Sequence, residues 1–320
     1  MKALQVVTFN DTPKWTHTRI PSPLQNQVLV RIEACGLNFA DLLLNQGIYQ
    51  ETPKVPFTLG MELAGQIISI GAMVKHLKAG QKVAIYSGQG GLAEYGAFDA
   101  DRCIPIPDGL SITDAAGFQI AYGTSHLALS YKGHLQKDET LVVLGAAGGV
   151  GLTAVEIGKT MGGRVIALAR GRSKLKEAAR AGADFLIDSE SDHLTDQVKE
   201  LGGADIVYDP VGGNLFDDMF RACKPDGRIL VVGFASGKLP VIKANHMMVK
   251  NLSIIGLNWG GYLRFKPKPL RESLQKLMAL WADGKLRPHV SHILPFERAL
   301  DGLELVKSRK STGKVVIKIT

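Results

Sequence analysis

The spacing of hydrophobic residues divides the chain into two parts that differ in predicted secondary structure. Up to about residue 115, short segments such as residues 27–34 and 63–70 alternate apolar and polar side chains, as half-buried β-strands do. Prolines separate these segments, and proline interrupts sheet hydrogen bonding, so short strands and loops are expected here. One short helix is expected over residues 38–45.

From about residue 115 onwards, buried strands alternate with helices. Strands are predicted over residues 140–144, 164–169, 184–187, 204–208, 227–232 and 252–256, with helical segments between them. Because apolar strands separated by helices do not form hairpins, the pattern predicts a parallel sheet covered by helices on both faces. Two amphipathic helices over 270–282 and 296–306 follow. The last strand, 314–319, lies far beyond this block and could return to the first part of the chain.

A glycine-rich loop follows the first strand of this series. Residues 141–151 read LVVLGAAGGVG, a hydrophobic strand that runs into glycines at the start of a helix, as in the dinucleotide-binding fingerprint. Gly148 would let the backbone approach a pyrophosphate, and Gly151 would let the helix pack closely on the strand. Ala146 replaces the first glycine of the fingerprint. The predicted cofactor contacts in the loop are Ala147, Gly148, Gly149, Val150 and Gly151.

The end of the second strand indicates which dinucleotide binds. An NAD site places an acidic residue about 20 residues beyond the loop, whereas an NADP site carries arginine nearby. Arg170 stands nineteen residues after Gly151, and Arg172 and Lys174 follow it with no acid before Glu177. These side chains offer charge-assisted hydrogen bonds to a 2′-phosphate. The sequence therefore predicts NADPH, the alternative being a solvated basic start to a helix.

Composition limits the remaining functional classes. The chain has 320 residues, 45% of them hydrophobic, and a net charge of +8, which would admit nucleic acid, an anionic membrane or a phosphorylated small molecule as partner. Residues 164–180 hold six Lys or Arg and one acid, so part of the charge is explained by NADPH. There is no nucleic-acid motif and no apolar stretch long enough to span a membrane. Three distant cysteines argue against disulfides and for a reducing cytoplasm.

Five segments occur in an order and spacing that indicate a family. They are residues 34–41 (ACGLNFAD), 47–49 (GIY), 56–65 (PFTLGMELAG), the glycine loop and 207–213 (VYDPVGG). Together they resemble the medium-chain dehydrogenase/reductase superfamily, in its zinc-free quinone oxidoreductase (zeta-crystallin-like) branch. The resemblance implies an α/β fold with a Rossmann doubly wound parallel sheet over residues 123–262. It also implies a GroES-like β domain formed from both chain ends, residues 1–122 completed by 263–320, and a homodimer.

The resemblance also implies a reaction without a metal. Zinc-dependent relatives carry cysteine where this chain has Asn38 and histidine where it has Met61, and a catalytic zinc needs three protein ligands. The chemistry then expected is hydride transfer from NADPH to a quinone or an α,β-unsaturated carbonyl. Two alternatives stay open. One is an enoyl-thioester (acyl-CoA) reductase, with a basic segment at residues 264–268 for a CoA phosphate; the other is an NADPH-binding structural or RNA-binding protein without important turnover.

Candidate site residues follow from the same resemblance. Asn38 could donate its amide N–H to the acceptor carbonyl or the nicotinamide ribose, and Tyr49 could donate its O–H at the mouth of the acceptor site. A loop-capping Asn and a packing Tyr are the alternatives. The nicotinamide side of the cofactor is expected to contact Thr124, Gly233, Phe234 and Asn258. Trp259 and Tyr262 are expected either to shape the acceptor pocket or to pack in an inter-domain core. Lys314 is expected either to approach the cofactor or, more commonly for lysine, to lie in solvent.

Overall fold

The structure is a computed structural model that describes residues 1–319. The strands, in chain order, are β1 (Lys2–Val6), β2 (Lys14–His17), β3 (Gln27–Leu37), β4 (Phe57–Thr58), β5 (Glu62–Ile70), β6 (Lys82–Tyr86), β7 (Tyr95–Asp99), β8 (Cys103–Pro105), β9 (Thr140–Leu144), β10 (Arg164–Ala169), β11 (Phe185–Asp188), β12 (Ala204–Asp209), β13 (Cys223–Val231), β14 (Ser253–Gly256), β15 (Val290–Pro295) and β16 (Lys314–Lys318). The α-helices are α1 (Phe39–Gln46), α2 (Ile112–Ala116), α3 (Gln119–His126), α4 (Gly149–Thr160), α5 (Gly171–Arg180), α6 (Leu194–Glu200), α7 (Asn214–Ala222), α8 (Ala244–Lys250), α9 (Tyr262–Phe265), α10 (Pro267–Ala282) and α11 (Ala299–Lys307). A π-helical segment, Leu127–Lys132, continues α3.

Residues 121–287 form one compact unit around a parallel sheet. Its strand order is β11-β10-β9-β12-β13-β14, so the chain starts in the middle and winds outward first to one side and then to the other. This is the 3-2-1-4-5-6 order of dinucleotide-binding domains. Strand β9 is buried along its whole length, as expected for a strand with helices on both faces. The predicted doubly wound sheet is confirmed.

Residues 1–120 and 288–319 form the other unit. The path of its larger sheet is β15-β16-β3-β5-β6-β8, and β7 also pairs with β3. Strand β16 runs antiparallel to β3, with Val315 opposite Leu37. The terminal strand therefore returns to the first part of the chain, and both chain ends build one β domain, as the family resemblance implies.

The second boundary between the units differs from the sequence expectation. The predicted return to the first unit came at residue 263, whereas the structure keeps residues up to 287 in the dinucleotide-binding unit. Helix α10 buries Leu270, Leu274 and Leu277 and packs against the π-helical segment of the same unit. The sequence shows that α10 is amphipathic, but it does not show which element the apolar face of the helix packs against.

Candidate cofactor and catalytic sites

The glycine loop connects β9 to α4 with a close approach of two backbone segments. Gly145 has a φ of 58°, in the left-handed region that favours glycine. A Cβ at Gly151 would lie 2.1 Å from the carbonyl oxygen of Gly145, so only glycine lets α4 pack this closely. A Cβ at Gly148 would meet only that same oxygen, at 3.3 Å, so the outer side of Gly148 is open. The first N–H groups of α4 lack intrahelical partners and are available to an anion.

Three buried hydroxyl groups lie behind this loop and hold it to the sheet. The Tyr208 hydroxyl lies 3.1 Å from Ser125 Oγ, which lies 2.8 Å from Thr153 Oγ1. Ser125 Oγ also donates a hydrogen bond of 2.8 Å to the carbonyl oxygen of Val150, in the first turn of α4. Burial raises the pKa of Tyr208, so its phenol stays protonated. Thr124, the predicted nicotinamide contact, precedes Ser125 on α3 and is buried.

The basic side chains predicted to bind a 2′-phosphate lie at the start of α5, directly after β10. Arg170 and Arg172 are exposed and Lys174 is half-buried. The structure adds two acids that sequence proximity did not show. Glu190 Oε1 lies 3.0 Å from Arg170 Nε, and Asp188 accepts from the backbone N–H that follows Arg170. An exposed ion pair contributes only about 0–1 kcal/mol, so Glu190 does not prevent a phosphate from binding Arg170.

The carboxyl ends of β12 and β13 carry a buried acid that sequence reasoning missed. The backbone N–H of Gly233 donates to the Asp209 carbonyl oxygen, and Phe234 beyond it is 39% exposed. Asp209 Oδ1 accepts two backbone N–H groups from the residues that follow it. Its Oδ2 is buried and has no hydrogen-bond partner among residues 1–319, and burial raises the pKa of this carboxyl. The signal in the sequence was an acid inside an otherwise apolar motif.

The segment after β14 contains one predicted cofactor contact and two aromatic residues. Asn258 Oδ1 accepts a 3.3 Å hydrogen bond from the backbone N–H of Gly261. Trp259 is buried and packs on Gly123, where a Cβ would lie 2.6 Å from the indole ring. Tyr262 is also buried. Both aromatic side chains are thus buried, and their part in an acceptor pocket stays a prediction.

In the other unit, Asn38 is the N-cap residue of α1. Its backbone N–H, its side-chain nitrogen and its side-chain oxygen all form hydrogen bonds. Its backbone N–H donates to Asp41 Oδ2 at 2.9 Å. Its Nδ2 donates to Glu62 Oε1 at 3.0 Å and to the carbonyl oxygen of Gly36 at 3.3 Å, while its Oδ1 accepts from Lys314 Nζ at 2.7 Å. Both amide hydrogens thus have partners. To donate to an acceptor carbonyl, as predicted, Asn38 must give up one of these two hydrogen bonds. The bond to the Gly36 carbonyl oxygen, at 3.3 Å, is the longer and weaker of the two.

The expectation that Lys314 lies in solvent is wrong. Its side chain is 8% exposed, and its Nζ donates to Leu37 O, Asn38 Oδ1 and Glu62 Oε1 at 2.7–2.8 Å. The cause is the pairing of β16 with β3, which brings Lys314 beside the end of β3. Asp41, on the same helix as the Asn38 cap, is fully buried, and burial raises the pKa of its carboxyl to about 7.

Tyr49 follows α1 and is half-buried. Burial raises the pKa of its phenol, and the negative charge of Glu51 adds to the effect. Its hydroxyl is hydrogen-bonded to the side chain of Tyr86, at the end of β6, whose pKa burial also raises. Both phenols are therefore neutral hydrogen-bond donors near pH 7. Tyr86 was not predicted, because it lies far from Tyr49 in sequence and outside the family motifs.

Across residues 1–319, no group of three or more His, Cys, Asp or Glu side chains is placed to hold a metal ion. In the same part of the chain, no helix is both long and apolar enough to cross a membrane.

The sequence matches two family models. The model of the alcohol dehydrogenase GroES-like domain matches residues 24–108, and that of zinc-binding dehydrogenases matches residues 149–280. The quinone oxidoreductase-like protein 2 homolog of Nematostella vectensis is 38% identical over 297 residues, which cover 91% of this chain and 81% of that protein. The bovine quinone oxidoreductase-like protein 2 is 35% identical over 304 residues, 93% of this chain and 87% of that protein.

Solved structures give the same result. Escherichia coli quinone oxidoreductase complexed with NADPH superimposes with a TM-score of 0.92 at 26% identity, covering 100% of both chains. The quinone oxidoreductase of Thermus thermophilus, also solved with NADPH, gives 0.87 at 30% identity, again over 100% of both chains. NADPH, the cofactor predicted from Arg170, is thus the one that these two proteins bind. By sequence and by fold, the chain belongs to the quinone oxidoreductase branch of the medium-chain dehydrogenase/reductase superfamily.

Proposed function

We propose that this protein is an NADPH-dependent oxidoreductase that transfers hydride to a quinone or an α,β-unsaturated carbonyl and needs no zinc. The observation that carries the proposal is the junction of β9, the glycine loop and α4, with Arg170 at the end of the neighbouring β10. That arrangement offers backbone N–H groups to a pyrophosphate and guanidinium groups to a 2′-phosphate. Membership of the quinone oxidoreductase family supports the reaction type.

The residues of the dinucleotide-binding unit fit this cofactor. The open side of Gly148 leaves room for the pyrophosphate beside residues 147–151. Arg170, Arg172 and Lys174 would hold the 2′-phosphate, and Thr124, Gly233, Phe234 and Asn258 the nicotinamide half. NADPH, when bound, supplies the hydride. The chain's own contribution is to bind and orient the reactants and to exclude water.

The acceptor side of the proposal rests on Tyr49 and Asn38. A quinone or enone oxygen gains negative charge as hydride arrives, and a nearby neutral donor stabilises that charge. The raised pKa of Tyr49 keeps its O–H available at neutral pH. The open alternative of an acyl-CoA reductase rests on the basic segment 264–268, whose Lys266 donates to the Tyr131 hydroxyl at 2.8 Å, and the assay with an enoyl-CoA separates it from quinone reduction.

We also propose a homodimer in a reducing cytoplasm. Strand β14 ends the parallel sheet with one open edge, and unpaired edges favour pairing with a second copy. Helix α8, just before β14, buries none of its residues, and Val241, Met248 and Val249 are 73–78% exposed.

The three cysteines, Cys35, Cys103 and Cys223, are buried free thiols, as expected where thiols stay reduced.

Steady-state oxidation of NADPH tests the proposal. Purified protein, kept in EDTA, is assayed with a panel of small quinones, an α,β-unsaturated ketone and an enoyl-CoA, with NADPH and NADH compared. We expect turnover with quinones or the enone, preference for NADPH, and no effect of EDTA. Turnover with the enoyl-CoA alone would establish the acyl-CoA reductase instead. Tight NADPH binding without turnover on any acceptor would favour the NADPH-binding structural or RNA-binding alternative.

A further inference from the structure

The side chain of Lys314 is a buried cation whose hydrogens are all used. The ammonium carries three N–H donors, and three acceptors surround it: Leu37 O, Asn38 Oδ1 and Glu62 Oε1. Its stem packs on Gly117, where a Cβ would come within 3.2–3.3 Å of the lysine carbons. In this arrangement each hydrogen of the Lys314 ammonium is directed at a protein acceptor, and none is left for a ligand. Any role in the reaction must pass through the groups that it holds.

Glu62 completes this buried ion pair, and both of its oxygens accept hydrogen bonds. Its side chain is 1% exposed. Oε1 accepts from both Lys314 Nζ and Asn38 Nδ2, while Oε2 accepts at 2.9 Å from the backbone N–H of Ile120, in the first turn of α3. A carboxylate is favourable at the N-terminus of a helix. The pair therefore joins the end of β3, the start of α1, the start of α3 and the start of β16.

The amide of Asn38 lies between the two charges and can take only one orientation. Its oxygen faces the ammonium and its nitrogen faces the carboxylate. A 180° rotation about the Cβ–Cγ bond would set N–H groups against the ammonium and the oxygen against the carboxylate. Asn and Gln orientations are assigned from such partners, and here the partners carry full charges. The orientation of the Asn38 side chain is thus determined by Lys314 and Glu62 together.

We propose that Lys314, through its ion pair with Glu62, is a positioning residue that sets the orientation of Asn38 for hydride transfer to the acceptor. The inference rests on the proposed function, since it needs Asn38 to contact a reactant. Lys314 makes no contact with a reactant itself. It fixes the amide and the first turn of α1 on which Asn38 stands. Misplacement of a positioned group by about 1 Å can cost about 100-fold in rate.

The test is a double-mutant cycle between Lys314→Met and Asn38→Ala in purified protein. We expect either single substitution to lower kcat by about tenfold or more, because a partly misplaced or missing amide loses part of the rate that correct positioning provides. The KM for NADPH should be unchanged. The double variant should be no slower than Asn38→Ala alone, because Lys314 acts through Asn38. The Kd for NADPH, measured by fluorescence, and the melting temperature are recorded for each protein. Lys318→Met is the control, an exposed lysine on the same strand, and should leave kcat unchanged.

A second variant is needed because Lys314→Met leaves the buried charge of Glu62 unpaired, which can prevent folding. Lys314→Met combined with Glu62→Gln removes both charges and should fold, yet show the same loss of kcat. Wild-type kcat in this variant, or in folded Lys314→Met, would overturn the inference. Multiplicative losses in the cycle would overturn it too, since they would mean that Lys314 acts independently of Asn38. If wild-type protein oxidises no NADPH with any acceptor, the proposed function fails, and this inference fails with it.

Discussion

At the scale of single residues, Arg170 and Lys174 are expected to determine the preference for NADPH. A hydrogen bond to a charged group contributes about 1.5–3 kcal/mol, and 1.4 kcal/mol corresponds to about tenfold in affinity. Arg170→Ala combined with Lys174→Ala should raise the KM for NADPH by about tenfold or more and change that for NADH little. Steady-state kinetics with both cofactors measures this.

The matched control is Arg180→Ala, at the far end of α5. Arg180 is exposed and paired with Glu177, so its loss changes the charge of the helix without removing a phosphate contact. An equal rise in KM for NADPH and NADH in the Arg170 and Lys174 variant would show that these residues do not recognise the 2′-phosphate.

Residues differ in how well the sequence predicted them, and the reason is the sequence distance to their partners. Arg170 follows a predicted strand, so its place at the end of β10 could be predicted from local pattern alone. Lys314 could not be predicted in the same way, since its partners Glu62 and Asn38 lie 252 and 276 positions away. A lysine after a glycine reads as solvated until the pairing of β16 with β3 is known.

At the scale of the strand–loop–helix element, alanine at Gly148 and alanine at Gly151 should affect different properties of the protein. A Cβ at Gly151 would lie 2.1 Å from a backbone oxygen, so Gly151→Ala should displace α4 and lower the melting temperature. A Cβ at Gly148 has one neighbour, at 3.3 Å, and φ there is −79°. Gly148→Ala should therefore keep the melting temperature nearly unchanged and weaken NADPH binding.

Thermal melting and fluorescence titration with NADPH separate these two outcomes. Loss of stability in both variants would mean that Gly148 serves packing and not the cofactor. Tight NADPH binding by Gly148→Ala would mean that the pyrophosphate does not approach the loop at this residue.

The contact between α3 and α10 should make stability depend on pH. His126 Nδ1 lies 2.8 Å from Ser273 Oγ, and burial, helped by the charge of Lys276, lowers the pKa of His126 to about 4. An unfolded histidine has a pKa of about 6.5, so the unfolded chain binds the proton more readily. Stability should thus be full above pH ~6.5 and fall by about 3 kcal/mol as pH drops towards 4.

Urea unfolding at pH 7 and pH 5 measures this slope. His126→Asn keeps a hydrogen-bonding group but cannot be protonated, and it should reduce the loss of stability on acidification. His193→Asn is the control, because the side chain of His193 is 82% exposed. A slope unchanged by His126→Asn would show that other groups cause the acid sensitivity.

Elements buried on both faces were the easiest to predict. Strands β9 and β10 have the bounds that their uninterrupted apolar runs predicted, because such runs in an α/β pattern admit few other structures. The position of α10 was harder. Its amphipathic pattern predicts a helix and a buried face, but the partner, the π-helical segment after α3, lies more than a hundred residues earlier in the chain. The domain boundary at 263 differs from the observed 287 for this reason.

At the scale of the whole molecule, an exposed strip between β13 and β14 in the sequence is expected to form the interface of a dimer. The strip comprises Leu239, Val241, Met248 and Val249, each more than 70% exposed, and large exposed apolar surfaces mark interaction sites. Light scattering on the native protein should give twice 34.5 kDa, or 69 kDa. Met248→Glu with Val249→Lys places opposite charges in the strip and leaves the net charge unchanged. This variant should dissociate at micromolar concentration.

The control for this prediction is Met73→Glu, a methionine of similar exposure, 66%, in the other unit. It should remain a dimer. Because the glycine loop, Arg170 and Asn38 are all remote in sequence from the strip, turnover of the dissociated variant tells whether each copy works alone. A mass of 34.5 kDa for the native protein would show that the edge of β14 stays unpaired in solution, and a dimer that survives both charges would show that the strip is not its interface.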